Sequence, residues 1–133
     1  MKGMLTILVV DDEPLSRQLL TFELERWGTL IAASDGNEAL WLCNATNLIF
    51  DIVITDYVMP HLNGREFVEI LRAEHGTLPI VLLSAVQQSD DLLDWCKRYD
   101  VICLEKSSDF TALHSLCARV AEGKTLEFGA ARR

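Results

Sequence analysis

Five short apolar runs recur along the chain, separated by longer stretches in which apolar residues return every three or four positions. The runs cover residues 5–10, 30–33, 52–55, 80–83 and 101–104. Each is nearly continuous rather than alternating, which predicts strands covered on both faces, as in a parallel sheet. The intervening stretches predict helices. Residues 14–27 place Leu15, Leu19 and Phe22 on one stripe, with Pro14 suited to a first turn. Asp35 followed three residues later by Glu38 marks a helix start. Residues 64–73 carry Phe67, Val68 and Leu71, residues 89–99 carry Leu92, Leu93 and Cys96, and residues 108–122 carry Phe110, Leu113, Cys117 and Val120. Strict alternation of strand and helix predicts a parallel sheet with helices on both faces.

Five such units predict an α/β fold: a flavodoxin-like (βα)5 doubly wound sandwich whose five-stranded parallel sheet has the order 2-1-3-4-5. With 133 residues, a single domain over 1–122 is expected, followed by a C-terminal tail or linker stub over 123–133. Half the residues are hydrophobic, which excludes a disordered chain. The net charge of -8 argues against a surface that tracks nucleic-acid phosphates or acidic lipid. No apolar run approaches the roughly 20 residues of a membrane span. The N-terminal run is cut at once by Asp11, Asp12 and Glu13, so it does not read as a signal segment, and a cytoplasmic location is expected. Cys43, Cys96, Cys103 and Cys117 form no closely spaced pairs and read as buried thiols. His61, His75 and His114 are not spaced to complete a zinc site. Gly123-Lys124-Thr125 lacks the upstream glycine of a phosphate-binding loop, because position 118 is Ala. Trp27, Trp41 and Trp95 read as packing residues, with partner contact reserved for Trp41 or Trp95 if exposed.

In a sheet of this order, ligands bind beyond the strand ends where the winding reverses, between strands 1 and 3. Strand 1 runs into Asp11 and Asp12, and strand 3 into Asp56. An acid at one strand end is ordinarily a solvated turn residue. Here the topology brings three carboxylates to one edge, where their repulsion raises proton affinity unless a cation intervenes. Oxygen-only ligands suit Mg²⁺, with Mn²⁺ as a substitute. Ser84 and small Ala85 end strand 4, and Lys106 ends strand 5. A carboxylate nucleophile, a divalent cation, a hydroxyl and an ammonium are the parts of a phosphoryl-transfer site.

The chain resembles the receiver domain of two-component response regulators, the CheY-like superfamily. The resemblance runs from about Leu5 to Val120. It is carried by Leu8-Val-Val-Asp-Asp-Glu13, by Asp56-Tyr-Val-Met-Pro60 with Gly64, by Ser84-Ala85 and by Lys106. The resemblance implies that Asp56 accepts a phosphoryl group from a sensor histidine kinase, a phosphotransfer protein or a small acyl phosphate. It implies that Asp12 binds Mg²⁺ directly, Asp11 largely through water, and that Asp56 and the Val58 backbone carbonyl complete the protein ligands. Lys106 would pair with Asp56 and then with the phosphoryl group. Ser84 would move toward the phosphoryl oxygens, and small Ala85 would leave room for them. Met59, Pro60 and Gly64 would shape the loop after Asp56. Such a protein catalyses its own phosphorylation and dephosphorylation without being a conventional turnover enzyme. It controls a downstream effector protein or fused output domain, and a homodimer through the face of helix 4, strand 5 and helix 5 is a further expectation.

Three positions depart from the family pattern. An aromatic residue is usual three before the lysine, and Cys103 stands there; proline is usual after the lysine, and Ser107 stands there; a small pair is usual before strand 5, and Tyr99-Asp100 stands there. These departures lie on the output face, and Ser107 leaves open whether its peptide bond is cis or trans. They also leave an alternative: a pseudo-receiver that binds proteins independently of phosphorylation. A Mg²⁺ phosphohydrolase on a related fold would want a second acid shortly after the nucleophile, where Tyr57 and Val58 stand. Val58 and Val86, each two residues beyond a site residue, cannot orient a hydrolytic water through their side chains, which predicts slow self-dephosphorylation.

Overall fold

The apolar runs form one parallel sheet in the computed structural model, which describes residues 4–45, 47–85 and 89–126. The strands are β1 (Leu5–Val10), β2 (Gly28–Ala33), β3 (Ile52–Asp56), β4 (Ile80–Ser84) and β5 (Ile102–Glu105). The helices are α1 (Pro14–Leu24), α2 (Gly36–Ala45), α3 (Gly64–Glu74), α4 (Asp90–Arg98) and α5 (Thr111–Ala121). The strand order is β2-β1-β3-β4-β5, with every neighbouring pair parallel. This is the expected doubly wound topology.

Side chains along a strand alternate between faces, so each strand supplies two cores. Leu8, Val10, Val53, Leu82 and Cys103 join Ala39, Phe67, Leu71, Leu92 and Trp95 on the α2–α3–α4 side. Ile7, Val9, Ile54, Val81 and Leu83 join Leu20, Leu24, Leu113, Leu116 and Cys117 on the α1–α5 side. Each fully buried Leu, Ile or Phe contributes roughly 1.5–3 kcal/mol. Both central strands, β3 and β4, are buried at every position, which explains their unbroken apolar runs. The edge strand β2 differs from the expectation of two covered faces, since Thr29 and Ala32 are exposed. It also starts earlier than expected, at Gly28. That residue lies so close to the Leu5 backbone, at a φ of 149°, that a Cβ would overlap it.

The largest departure is in α1. The helix ends at Leu24 and tightens into a 3-10 turn over Glu25–Trp27. Its buried residues are Leu20 and Leu24, while Leu15, Leu19 and Phe22 are 73%, 49% and 68% exposed. Leu19 and Leu20 are adjacent, so α1 carries two neighbouring apolar stripes, and periodicity alone does not select the one that meets the sheet. Similarly, α5 starts at Thr111 rather than 108, because the Asp109 carboxylate accepts from the Thr111 amide at 3.0 Å and its hydroxyl at 2.7 Å.

Caps fix the other helix starts. The Glu13 carboxylate accepts from the amides of Leu15 and Ser16, Asn63 and Glu66 form a reciprocal capping box, and Ser89 accepts from Leu92. Asp35 accepts from the Glu38 amide at 2.8 Å, while the Glu38 carboxylate reaches back to the Ser34 amide at 2.6 Å. Arg72 donates to the carbonyls of Tyr99, Gly76, Leu78 and Asp100, tying α3 to the turn before β5. Asp100 adopts a φ of 55° there. Trp27 Nε1 donates to His114 Nδ1, whose Nε2 faces Glu23 at 2.9 Å, joining the 3-10 turn, α5 and α1. After α5 the chain turns at Gly123, and Leu126 packs into the α1–α5 core. No helix among the described residues is long and apolar enough to cross a membrane.

Candidate functional site

Asp11 is the first residue beyond β1, Asp56 the last of β3, Ser84 the last of β4, and Lys106 the first beyond β5. Parallel strands end at the same sheet edge, so chain direction alone gathers them. One carboxylate oxygen each from Asp11, Asp12 and Asp56 lies within 4.8 Å of the others. Asp11 is fully buried, Asp56 nearly so, and Asp12 exposed.

Lys106 joins the two buried acids. Its Nζ donates to Asp11 Oδ2 at 2.9 Å and to Asp56 Oδ2 at 3.1 Å. The Lys106 amide donates to the Ser84 carbonyl at 2.7 Å, which carries β5 pairing one residue past the strand and sets the root of the lysine. The Tyr57 amide donates to Asp56 Oδ1 at 2.9 Å. Burial, the largest effect, raises the Asp56 proton affinity, as does the Asp11 charge; the Lys106 bond and charge and the Tyr57 amide oppose it without reversing the sign. For Lys106, burial pushes the proton affinity down, and hydrogen bonds and charges from Asp11 and Asp56 more than reverse it. Lys106 is therefore an ammonium at neutral pH.

Two contacts were not anticipated. Ser16 Oγ donates to Asp11 Oδ2 at 2.5 Å, and Arg17 Nη1 to the Asp11 carbonyl at 2.7 Å. With Lys106 on Oδ2 and the Glu13 amide on Oδ1, Asp11 is heavily committed. Asp12 is the more available carboxylate. The signal lies in the helix start: Pro14 at the first turn directs positions 16 and 17 back over the strand end.

The remaining predicted residues lie around this rim. Ser84 is fully buried and follows Leu83, which pairs in register with Asp56. Ala85 and Val58 are exposed, and Met59 is buried. Gly64 lies against the site backbone, where a Cβ would stand 2.7 Å from the Asp56 carbonyl and 2.8 Å from Tyr57 Cα. Cys103 is buried beneath α4 in the α2–α3–α4 core. The Lys106–Ser107 peptide is trans, like every peptide bond among the described residues. Val86 lies outside the described residues. All four cysteines are thiols; Cys96, Cys103 and Cys117 are buried, and Cys43 is half-buried. Trp95 is buried, and Trp41 is 60% exposed.

A doubly wound sheet with three acids and a lysine at its switch point defines the receiver class, and the comparisons agree. The family described as "Response regulator receiver domain" matches residues 7–118. This chain belongs to that family. It is 40% identical over 86 residues to the alkaline phosphatase synthesis transcriptional regulatory protein PhoP of Bacillus subtilis, a match covering 64% of this chain and 35% of that protein. It is 32% identical over 117 residues to the sensor histidine kinase RcsC of Salmonella typhi, covering 87% of this chain and 12% of that protein. Among solved structures, the response regulator TrrA of Thermotoga maritima, in complex with Mg²⁺-BeF, superposes with a TM-score of 0.77 at 34% identity, covering 88% of this chain and 99% of that one. The chain spans about a third of the length of the first curated relatives it matches.

Proposed function

We propose that this receiver domain accepts a phosphoryl group on Asp56 in a Mg²⁺-dependent reaction and relays the change to an effector protein or fused output domain. The observation that carries this reading is the pairing of Lys106 with both buried acids beside exposed Asp12. Three carboxylates that crowd within 4.8 Å against one ammonium suit a hard divalent cation. Asp12 would hold it directly, Asp56 and the Val58 carbonyl would complete the protein ligands, and Asp11, already hydrogen-bonded on both oxygens, would act largely through water. Such an ion, Mg²⁺ or Mn²⁺, neutralises charge on the transferring phosphoryl oxygens.

The remaining chemistry belongs to the chain. An Asp56 carboxylate oxygen attacks phosphorus in line, forming the new O–P bond as the bond to the donor breaks. The electron pair leaves with the donor, the imidazole of a phosphohistidine or the carboxylate of an acyl phosphate. Lys106 shifts its donor from Asp56 Oδ2 to a phosphoryl oxygen, and Ser84 supplies a second donor. The exposed apolar stripe of Leu15, Leu19 and Phe22 begins two residues past Glu13 at the site's edge. We assign it to docking of the phosphodonor protein, a sensor histidine kinase or phosphotransfer protein. A homodimer would form through the face of α4, β5 and α5, and the receiver would occupy residues 1–122 with a tail or linker over 123–133.

Labelled acetyl phosphate separates the readings. Stable Mg²⁺-dependent label in the wild type, absent after Asp56→Asn or chelation, is expected. No label at all supports the pseudo-receiver, and sustained turnover supports a phosphohydrolase. The exposed aliphatic Val58 supports slow loss of the phosphoryl group. Replacing Val58 by Asn together with Val86 by Glu should shorten its half-life, and an unchanged half-life would refute that point.

A further inference from the structure

Helix α4 is joined to α3 by two side-chain links one turn apart. Arg65, in the first turn of α3, places a guanidinium nitrogen 2.8 Å from Asp91 in the first turn of α4. Its guanidinium carbon also sits 5.4 Å from the Trp95 ring centre and 5.9 Å from that of Tyr57. The Arg65 Nε is buried with no hydrogen-bond partner, and the guanidinium is held by the Asp91 carboxylate and the two rings. The second link is Trp95 Nε1 donating to Glu69 Oε2 at 2.9 Å, with the indole almost fully buried. At its other end, Arg65 is rooted at the phosphoacceptor. Gly64 donates to the Tyr57 carbonyl, has no room for a Cβ against Asp56 and Tyr57, and immediately precedes Arg65. The Tyr57 amide is bonded to the Asp56 carboxylate itself.

One cation thus touches the residue beside Asp56, an acid of α4 and an indole of α4. We propose that Arg65 is a latch that holds α4 in the unmodified position and sets how readily Asp56 modification shifts it. The proposal rests on the phosphoacceptor reading of Asp56. An anion on Asp56 would draw in the Ser84 hydroxyl at the end of β4, and the chain that follows Ser84 leads into α4. A displacement of α4 away from α3 would separate Asp91 and Trp95 from Arg65. The latch is a differential contact, made in one state and lost in the other, and it therefore biases the equilibrium against the modified-like state.

Loosening the latch should consequently strengthen binding of a phosphoryl mimic while weakening the fold. Beryllofluoride with Mg²⁺, titrated by calorimetry into the full chain, reads the first effect, and thermal unfolding reads the second. For Arg65→Gln we expect beryllofluoride affinity to rise roughly threefold or more, with a lowered Tm. Arg65→Lys keeps the charge but loses the planar stack and should fall between Gln and wild type. Asp91→Asn alters an exposed side chain, leaves the fold intact, and should raise affinity by a smaller factor. The double variant of Arg65→Gln and Asp91→Asn should match Arg65→Gln alone. A purely structural role would lower stability without raising affinity. Unchanged or weaker beryllofluoride binding in folded Arg65→Gln or Asp91→Asn overturns the latch and leaves the phosphoacceptor reading standing. Failure of the wild type to bind beryllofluoride overturns both.

Discussion

Removing the charge of Asp56 should make the protein more stable when Mg²⁺ is absent. The Asp56–Lys106 pair at 3.1 Å represents about 5 kcal/mol of attraction at an effective dielectric of about 20. Repulsion from Asp11, within 4.8 Å, is about 3.5 kcal/mol on the same scale. Asp12 is exposed, and solvent screening cuts its share to roughly half of that. Attraction and repulsion nearly cancel, so the burial of the Asp56 carboxylate decides the sign. That is why its proton affinity is raised, with desolvation the first cause. Asp56→Asn should therefore stabilise the metal-free protein by about 1–2 kcal/mol, or roughly 3–8 °C in Tm for a domain of this size. A carboxyl whose folded affinity is raised contributes stability below its unfolded value and loses it as pH rises through the folded value. The advantage of the variant should thus be absent near pH 3, below the unfolded value, and grow as pH rises toward and through the raised folded value. Saturating Mg²⁺ should then stabilise the wild type by about 2.7 kcal/mol at a hundredfold excess over its Kd, and the variant by less. Differential scanning calorimetry across pH, with and without Mg²⁺, makes the test. A variant less stable than wild type in metal-free buffer, or an advantage that does not depend on pH, would refute the charge balance described above.

Lys106→Met should have the opposite effect, destabilising the metal-free protein by roughly 3 kcal/mol because Asp11 and Asp56 lose their shared counterion, and Mg²⁺ should restore part of the loss in urea denaturation. Burial pushes the Cys117 thiol up to about 12, and burial with the Glu74 charge pushes Cys43 up to about 11. Neither should react with a chromogenic disulfide at neutral pH in the native protein, whereas all four cysteines should react in denaturant. Phe22→Asp or Leu19→Asp should slow phosphotransfer from a phosphohistidine donor by tenfold or so while leaving labelling by acetyl phosphate unchanged, and equal slowing with both donors would count against a docking role. Arg72→Met leaves four carbonyls without their shared donor and should cost about 2–4 kcal/mol, readable in the same urea experiment.

Much of this architecture is legible in the residues because parallel strands covered on both faces leave unbroken apolar runs, and alternation with helices restricts the topology. The same logic brings Asp11, Asp12, Asp56, Ser84 and Lys106 to one edge, since strand direction rather than side-chain detail gathers them. What side chains do with that edge is less legible. Nothing in the Asp11-Asp12 pair says which is buried; that follows from Pro14 starting α1 at once and bringing Ser16 and Arg17 onto Asp11. The two adjacent stripes of α1 have similar spacing, and only packing against the sheet distinguishes Leu20 and Leu24 from Leu15, Leu19 and Phe22. Nothing in the sequence marks Arg65 or Arg72, because the Asp91 and Trp95 partners of Arg65 and the Tyr99 and Asp100 carbonyls that bind Arg72 lie 26 or more residues away and only the folded chain brings them together.

The proposed relay requires that Asp56, and no other acid, carry the phosphoryl group. Borohydride reduction of the protein after treatment with acetyl phosphate and Mg²⁺ converts an aspartyl phosphate to homoserine, and peptide sequencing by mass spectrometry then locates it. Homoserine at position 56, and at no other acid, is the predicted result. Homoserine at Asp11 or Asp12, or none anywhere in protein shown to bind Mg²⁺, would contradict it.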